Sequence, residues 1–335
     1  MVEMTATIET AATTTAAAAE EKASIRVERY SSEHSAEWNE FVKNSKNGTF
    51  LFDRNYMDYH AERFTDCSLM FRDADDKLIA VMPANLKDDA LISHGGLTFG
   101  GVVSNHRMKT TAMLEIFEGL IEFAGIAGAS RIVYKAVPHI YHVQAAEEDL
   151  YALFLHDARL VKREVSTAIN LQERLSVSKG RKWTINRSRK NKIEVRESDD
   201  FETFMRLETE VLAARYNVVP VHTAAVIRLL ANRFPENIKL FAAFLNDEML
   251  AGTIIYASQT LAHAQYIAAT DEGKQLCALD AILQELIDAY YAEKRYFDFG
   301  ISTERQGRYL NVGLVEYKES WGGRATVYDT YEIVF

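Results

Sequence analysis

Apolar positions recur along the chain with two periods, one of a strand and one of a helix. From Ser24 to Tyr30, Ile25, Val27 and Tyr30 predict a strand, and Trp38, Phe41 and Val42 then predict a helix. Phe50 to Phe64 repeats aromatic residues at helical spacing, so that Phe52, Tyr56, Tyr59, His60 and Phe64 read as one packed helix face. Cys67 to Arg72 and Lys77 to Leu86 flank the polar turn Asp73-Ala-Asp-Asp76 and read as a hairpin. The stretch Ser93 to Ser104 holds its glycines in two pairs, which suits turns. It lacks the Lys-Ser/Thr of a phosphate loop, and His94 within it reads as a solvated or capped loop histidine. A helix over Met108 to Ala127, a strand over Arg131 to Ala136, a helix after Glu147 and a strand over Ser166 to Leu171 complete a first block.

At Ile193 the pattern begins again. A strand to Glu197 precedes helices over Phe201 to Tyr216 and His222 to Phe234. Strands follow at Ile238 to Leu245, Met249 to Ser258 and Leu261 to Thr270, with Asn246-Asp247 as a hairpin turn. Leu276, Leu279, Ile282, Leu283, Leu286, Ile287, Tyr290 and Tyr291 predict one long amphipathic helix. Tyr296 to Gly300 is strand-like, and a short helix carrying Leu314, Tyr317, Lys318 and Trp321 stops at Gly322-Gly323. Strands and helices that interleave in this way predict a mixed α/β layer. The division expected is a low-complexity tail over 1–24, rich in Ala, Thr and Glu, then domains over 25–175 and 176–335.

Composition narrows the functions. The 335 residues are 48% hydrophobic, enough for two cores. A net charge of −10 argues against a protein that coats itself with nucleic acid. Cys67 and Cys277 are too few for a disulfide framework, and no stretch is apolar enough to span a bilayer, so a soluble cytoplasmic protein is expected. The histidines are scattered and no metal is expected.

Two features carry chemistry. Lys179 to Lys192 concentrates Arg181, Lys182, Arg187, Arg189, Lys190 and Lys192 around Trp183, a run that reads as a solvated helix face or as a phosphate-docking surface. Asp298, alone among aromatic residues in its strand, is expected to have a pKa raised by burial toward that of a general base. The other reading is a hydrogen-bonded structural aspartate. Asp280 reads as a carboxylate complementing a helix N-terminus.

Asn311-Val-Gly-Leu-Val-Glu-Tyr317-Lys318-Glu-Ser-Trp-Gly322 resembles the last helix of the GNAT acyltransferase superfamily, and specifically its FemAB-type peptidyltransferase branch. Where ordinary GNAT enzymes place a tyrosine that protonates a departing thiolate, this chain has Lys318, and the Tyr317-Lys318 pair matches the aromatic-lysine pair of FemAB-like proteins. The glycine-rich Ser93 to Ser104 stretch is similar to one in the FemAB first domain. The resemblance covers roughly residues 25–335 and implies two tandem GNAT-like acyl-CoA N-acyltransferase domains. It also implies transfer of an acyl or aminoacyl group from acyl-CoA or aminoacyl-tRNA to an amine, with a small molecule or peptidoglycan precursor as acceptor. Lys318 would stabilise charge and Asp298 would take the amine proton. Gly273, Lys274 and Gln275 stand where GNAT enzymes cradle a coenzyme A pyrophosphate, while Arg181, Arg187, Arg189, Lys190, Arg215 and Tyr317 are the expected substrate contacts. A non-catalytic protein binding a phosphorylated ligand is the alternative.

Overall fold

The structure, a computed structural model, describes residues 25–335, and the expected tail over 1–24 lies outside the described residues. The first half runs β1 (Arg26–Arg29), α1 (Ser35–Lys43), α2 (Arg54–Met57), β2 (Thr65–Asp66), β3 (Leu69–Arg72), β4 (Leu78–Met82), β5 (Asn85–Lys87), β6 (Ala90–Ile92) and β7 (Val103–Ser104). It continues through α3 (Thr110–Ile126), β8 (Arg131–Lys135), α4 (Glu148–Leu155) and β9 (Arg159–Asn170). The second half runs α5 (Lys179–Lys190), β10 (Glu194–Ser198), α6 (Phe201–Tyr216), α7 (Ala224–Arg233), β11 (Ile238–Leu245), β12 (Glu248–Ala257) and β13 (Leu261–Ala269). Then come α8 (Asp271–Leu276), α9 (Ala278–Glu285), β14 (Tyr296–Ile301), the small hairpin β15 (Thr303–Glu304) and β16 (Tyr309–Leu310), α10 (Val312–Glu319) and β17 (Arg324–Val334).

A four-stranded sheet, β1-β3-β4-β7, stands beside an 11-stranded one whose order is β10-β11-β12-β13-β14-β9-β17-β8-β6-β5-β2. The large sheet crosses from one half to the other by exchange. β9 lies between β14 and β17, with Ala168 opposite both Asp298 and Arg324, while β17 pairs Ile333 with Ile132 of β8. Each half therefore sets its last strand in the other's part of the sheet, and the boundary expected near residue 175 falls in the segment between β9 and α5.

Alternation along β11 explains the layers. Leu240, Ala242 and Phe244 point into a core shared with Phe204 and Met205 of α6 and with Trp38, Phe52 and Phe99 of the first half. Phe241 and Ala243 point to the other face, under Ile282 and Leu283 of α9 and Ile185 of α5.

Two expected helices break. Phe50 to Phe64 is a series of short turns, because Asp53 is extended to cap α2 and His60 leaves helical geometry at φ −134°. The long helix expected over Leu276 to Tyr291 is interrupted at Cys277 (φ +60°) and finishes in a π-helical turn over Leu286–Tyr290. In the glycine-rich stretch, a Cβ on Gly100 would lie 2.1 Å from the Ser93 carbonyl oxygen, so the glycines there serve close approach. His94 is buried rather than solvated.

Burial pushes His94, His142 and His222 each down to about 4 from 6.5. It pushes Asp149 up to about 6 and Glu208 up to about 7. Between pH 5 and 6 the unfolded chain gains protons on the histidines and the folded chain keeps them on the two carboxyls. The unfolded state binds about one more proton, so stability falls by about 1.4 kcal/mol per pH unit on acidification. Urea midpoints measured across that window are expected to decrease toward pH 5. A flat profile would contradict the burial of the histidines.

Candidate active site

The site begins where two parallel strands part. β13 and β14 pair only through Leu261 with Tyr296, Ala262 with Phe297 and His263 with Asp298. Beyond that point a bulge against β12 leaves Gln265 without a partner, and β14 turns at Gly300 (φ +77°). The gap is a cleft of about 680 Å³, walled by Ala264 to Ile267 of β13, Phe299 and Ile301 of β14, Glu208, Val211 and Leu212 of α6, and Leu314, Tyr317 and Lys318 of α10.

α10 is fixed at its start by Asn311, whose side chain accepts from the Leu314 N–H. In its last turn it buries Lys318, whose Nζ donates to the carbonyls of Gly300 and Ile301 at 2.7 Å each. Burial brings its pKa down to about 8, against the pull of the Asp298 charge. It remains an ammonium at neutral pH, held against an otherwise largely apolar cleft, where a charge acts more strongly than in water. Tyr317 beside it lines the cleft, with its hydroxyl pushed up to about 12 by burial.

Asp298 is fully buried and saturated with donors. Ser166 Oγ donates at 2.6 Å, Tyr328 Oη at 2.9 Å and His263 Nδ1 at 2.7 Å. Because an ionised carboxylate only accepts, His263 must carry its proton on Nδ1, and Tyr141 Oη donates onward to Tyr328 Oη at 3.1 Å. The expected upward pKa shift is corrected here: burial pushes it up, but the bonds from His263, Ser166 and Tyr328 outweigh burial and hold Asp298 below 3.8. The aspartate joins β9, β13, β14 and β17 at the fork. The ring of His263 approaches Gly300, its Cε1 lying 3.3 Å from where a Cβ would stand.

Arg181 is committed within the fold. Its guanidinium pairs with Asp280, contacts Ser320 Oγ at 3.1 Å, and covers the rings of Tyr317 and Trp321 at 4.4 and 4.9 Å. Asp280, in the first turn of α9, is thus an ion-pair partner and also accepts from Thr184 at 2.6 Å. Arg187, Arg189 and Lys190 are exposed on α5, with Arg187 over the exposed Trp183 ring at 5.3 Å. Arg215 stands near the end of α6, and its side chain lies outside the described residues.

Gly273, Lys274 and Gln275 form the body of the six-residue α8. The Gly273 N–H already donates to Thr270 Oγ1 at 2.9 Å, and a Cβ there would meet the Leu250 carbonyl oxygen at 2.2 Å. Asp271 and Glu272 put carboxylates in the first turn, and Lys274 Nζ donates to Asp271 at 2.7 Å. Lys274 borders a smaller hollow of about 260 Å³ that shares Val211 with the cleft.

Sequence reasoning passed over Glu208 and His263. Glu208 had a signal: it falls in register with Phe201, Phe204, Met205, Val211 and Leu212, a carboxyl inside an apolar stripe. It is 4% exposed, its Oε2 has no hydrogen-bond partner among the described residues, and burial raises its pKa to about 7. His263 had none, since its partner is distant in sequence. Among the described residues no group of His, Cys, Asp and Glu is arranged to hold a metal ion, and no helix is long and apolar enough to cross a membrane.

The acetyltransferase (GNAT) domain family matches residues 178–319, the segment that builds the cleft. The second half of the chain thus carries a segment similar to a GNAT domain. The chain is similar to the crystal structure of FemX, with a TM-score of 0.67 at 12% identity over 92% of this chain and 97% of that one. The structure of L-PGS from Bacillus licheniformis aligns with a TM-score of 0.54 at 12% identity, covering 92% and 93%. A tandem GNAT protein from the clavulanic acid biosynthesis pathway aligns at 0.50 and 10% identity, covering 92% and 98%. No curated protein sequence matches the chain. The likenesses run through both halves, so the fold is a mixed α/β fold of tandem GNAT type.

Proposed function

We propose that this protein moves an acyl or aminoacyl group from an activated carrier to an amine, with Lys318 stabilising the negative charge that develops on the carbonyl oxygen or on the leaving carrier. The observation that carries the reading is the buried Lys318 ammonium at the point where β13 and β14 separate, fastened to the Gly300 and Ile301 carbonyls beside an open cleft. Residues 25–175 and 176–335 serve as the two GNAT-like units, and the exposed cations Arg187, Arg189 and Lys190 around Trp183 contact carrier or acceptor phosphates. Asp298 contributes by positioning His263 and the fork.

Aminoacyl-tRNA is the donor we favour over acyl-CoA. At α8 the Gly273 N–H is occupied and Asp271 and Glu272 bring negative charge, so that turn is poorly suited to a pyrophosphate. The acceptor amine that the FemAB-like resemblance implies belongs to a cell-wall precursor, met in the cytoplasm. Incubating the protein with a primary amine and either charged tRNA or acetyl-CoA tests the reading. Label transfer from charged tRNA without thiol release is expected. Thiol release with acetyl-CoA would overturn the donor assignment, and no transfer from either carrier would overturn the enzyme in favour of a binding protein.

A further inference from the structure

On the α6 wall of the cleft that Lys318 also lines, Glu208 is a carboxyl without a described partner. Its neighbours in the α6 stripe, Phe201, Phe204, Met205 and Val211, are apolar and pack into the core. Among the described residues, none donates a hydrogen bond to Glu208 Oε2 and none forms an ion pair with Glu208. The adjacent Tyr266 hydroxyl, which shares the cleft, is engaged with His222 Nδ1 at 2.7 Å. A buried carboxyl left without donors is costly, and the cost is recovered when a cation enters beside it. Among the described residues no other carboxyl lines the cleft.

We infer that Glu208 is the contact for a primary ammonium group of the acceptor and takes its proton before transfer. The inference rests on the acyl-transfer reading and adds where the acceptor sits. An ammonium is drawn to Glu208 and repelled by Lys318, whereas a carbonyl oxygen is drawn to Lys318, so the two walls sort the two reactants. In the reaction the acceptor ammonium gives one proton to the Glu208 carboxylate, and the freed lone pair forms the new C–N bond. The carbon-to-carrier bond then breaks with its electron pair on the carrier atom, which takes the second proton from nitrogen, and Glu208 returns its proton to solvent. A pKa near 7 suits a group that must accept and release a proton at neutral pH.

The experiment compares n-butylammonium with n-butanol, a neutral probe of similar size, by titration against the full-length protein. Wild type is expected to bind the ammonium about 10-fold more tightly, Glu208→Gln to lose that preference, and Glu208→Asp to retain part of it. Gln removes a desolvated acid without changing volume, so the variant should melt no lower than wild type, which keeps the comparison interpretable. Turnover with an amine acceptor is expected to fall about 100-fold in Glu208→Gln. A preference that persists in Glu208→Gln, or that wild type lacks, overturns the inference. Should no carrier yield transfer while the Glu208-dependent preference holds, the ammonium site stands and the transferase reading falls. Transfer at full rate in Glu208→Gln does the opposite.

Discussion

Replacing Lys318 with methionine is expected to lower kcat for acyl transfer by about 10²–10³-fold, the usual cost of removing one preorganised donor from a developing oxyanion. The side chains are close in length, so the cleft keeps its shape while the charge leaves. KM should move little, because the interaction is realised mainly as charge develops. The substitution also deprives the Gly300 and Ile301 carbonyls of the Nζ donor that holds them. That loss costs about 1–3 kcal/mol for each group left unsatisfied, so a lower Tm should accompany the lower kcat. Assays are therefore made well below the variant's melting temperature. Turnover within a few-fold of wild type would remove Lys318 from the chemistry and leave it a clamp on β14.

The second large effect is on stability. Asp298→Ala strips the acceptor from Ser166, His263 and Tyr328 at once, in a site with no solvent to replace it. Breaking a buried charged network by removing one member costs about 3–5 kcal/mol. The urea midpoint should fall accordingly with an unchanged m-value, and Tm by roughly 10 °C. The sign with pH follows from the depressed pKa. The carboxylate's contribution is full above 3.8, its ordinary value, and disappears as pH falls below it, so the gap between wild type and variant narrows on acidification. An Asp298→Ala protein as stable as wild type would show that the fork is held by packing alone.

Much of this was legible in the chain because it depends on neighbours in sequence. The meander β11-β12-β13 follows from continuous apolar runs around Asn246-Asp247, whose positive φ values of 51° and 63° suit the tight turn. Lys318 stands out through a local motif, and α10 carries it to the wall of the cleft. What stayed hidden depends on partners far along the chain. The sign of the Asp298 shift is set by Ser166 and His263, which reach it across strand exchange and a parallel pairing. Arg181 looks like a free cation in a basic run until Asp280 and the Tyr317 and Trp321 rings arrive around it. The aromatic stretch from Phe50 to Phe64 keeps helical spacing without a helix, since Tyr56 and Phe50 satisfy their burial by edge contacts with Tyr256 of the other half.

The exchange of β9 and β17 sets an order on biosynthesis. As the chain leaves the ribosome, β8 presents an edge that stays unpaired until β17 is made, after all the other described strands. The first half must hold that edge open while every element from α4 to α10 is made, and completing it and closing the second half become a single event.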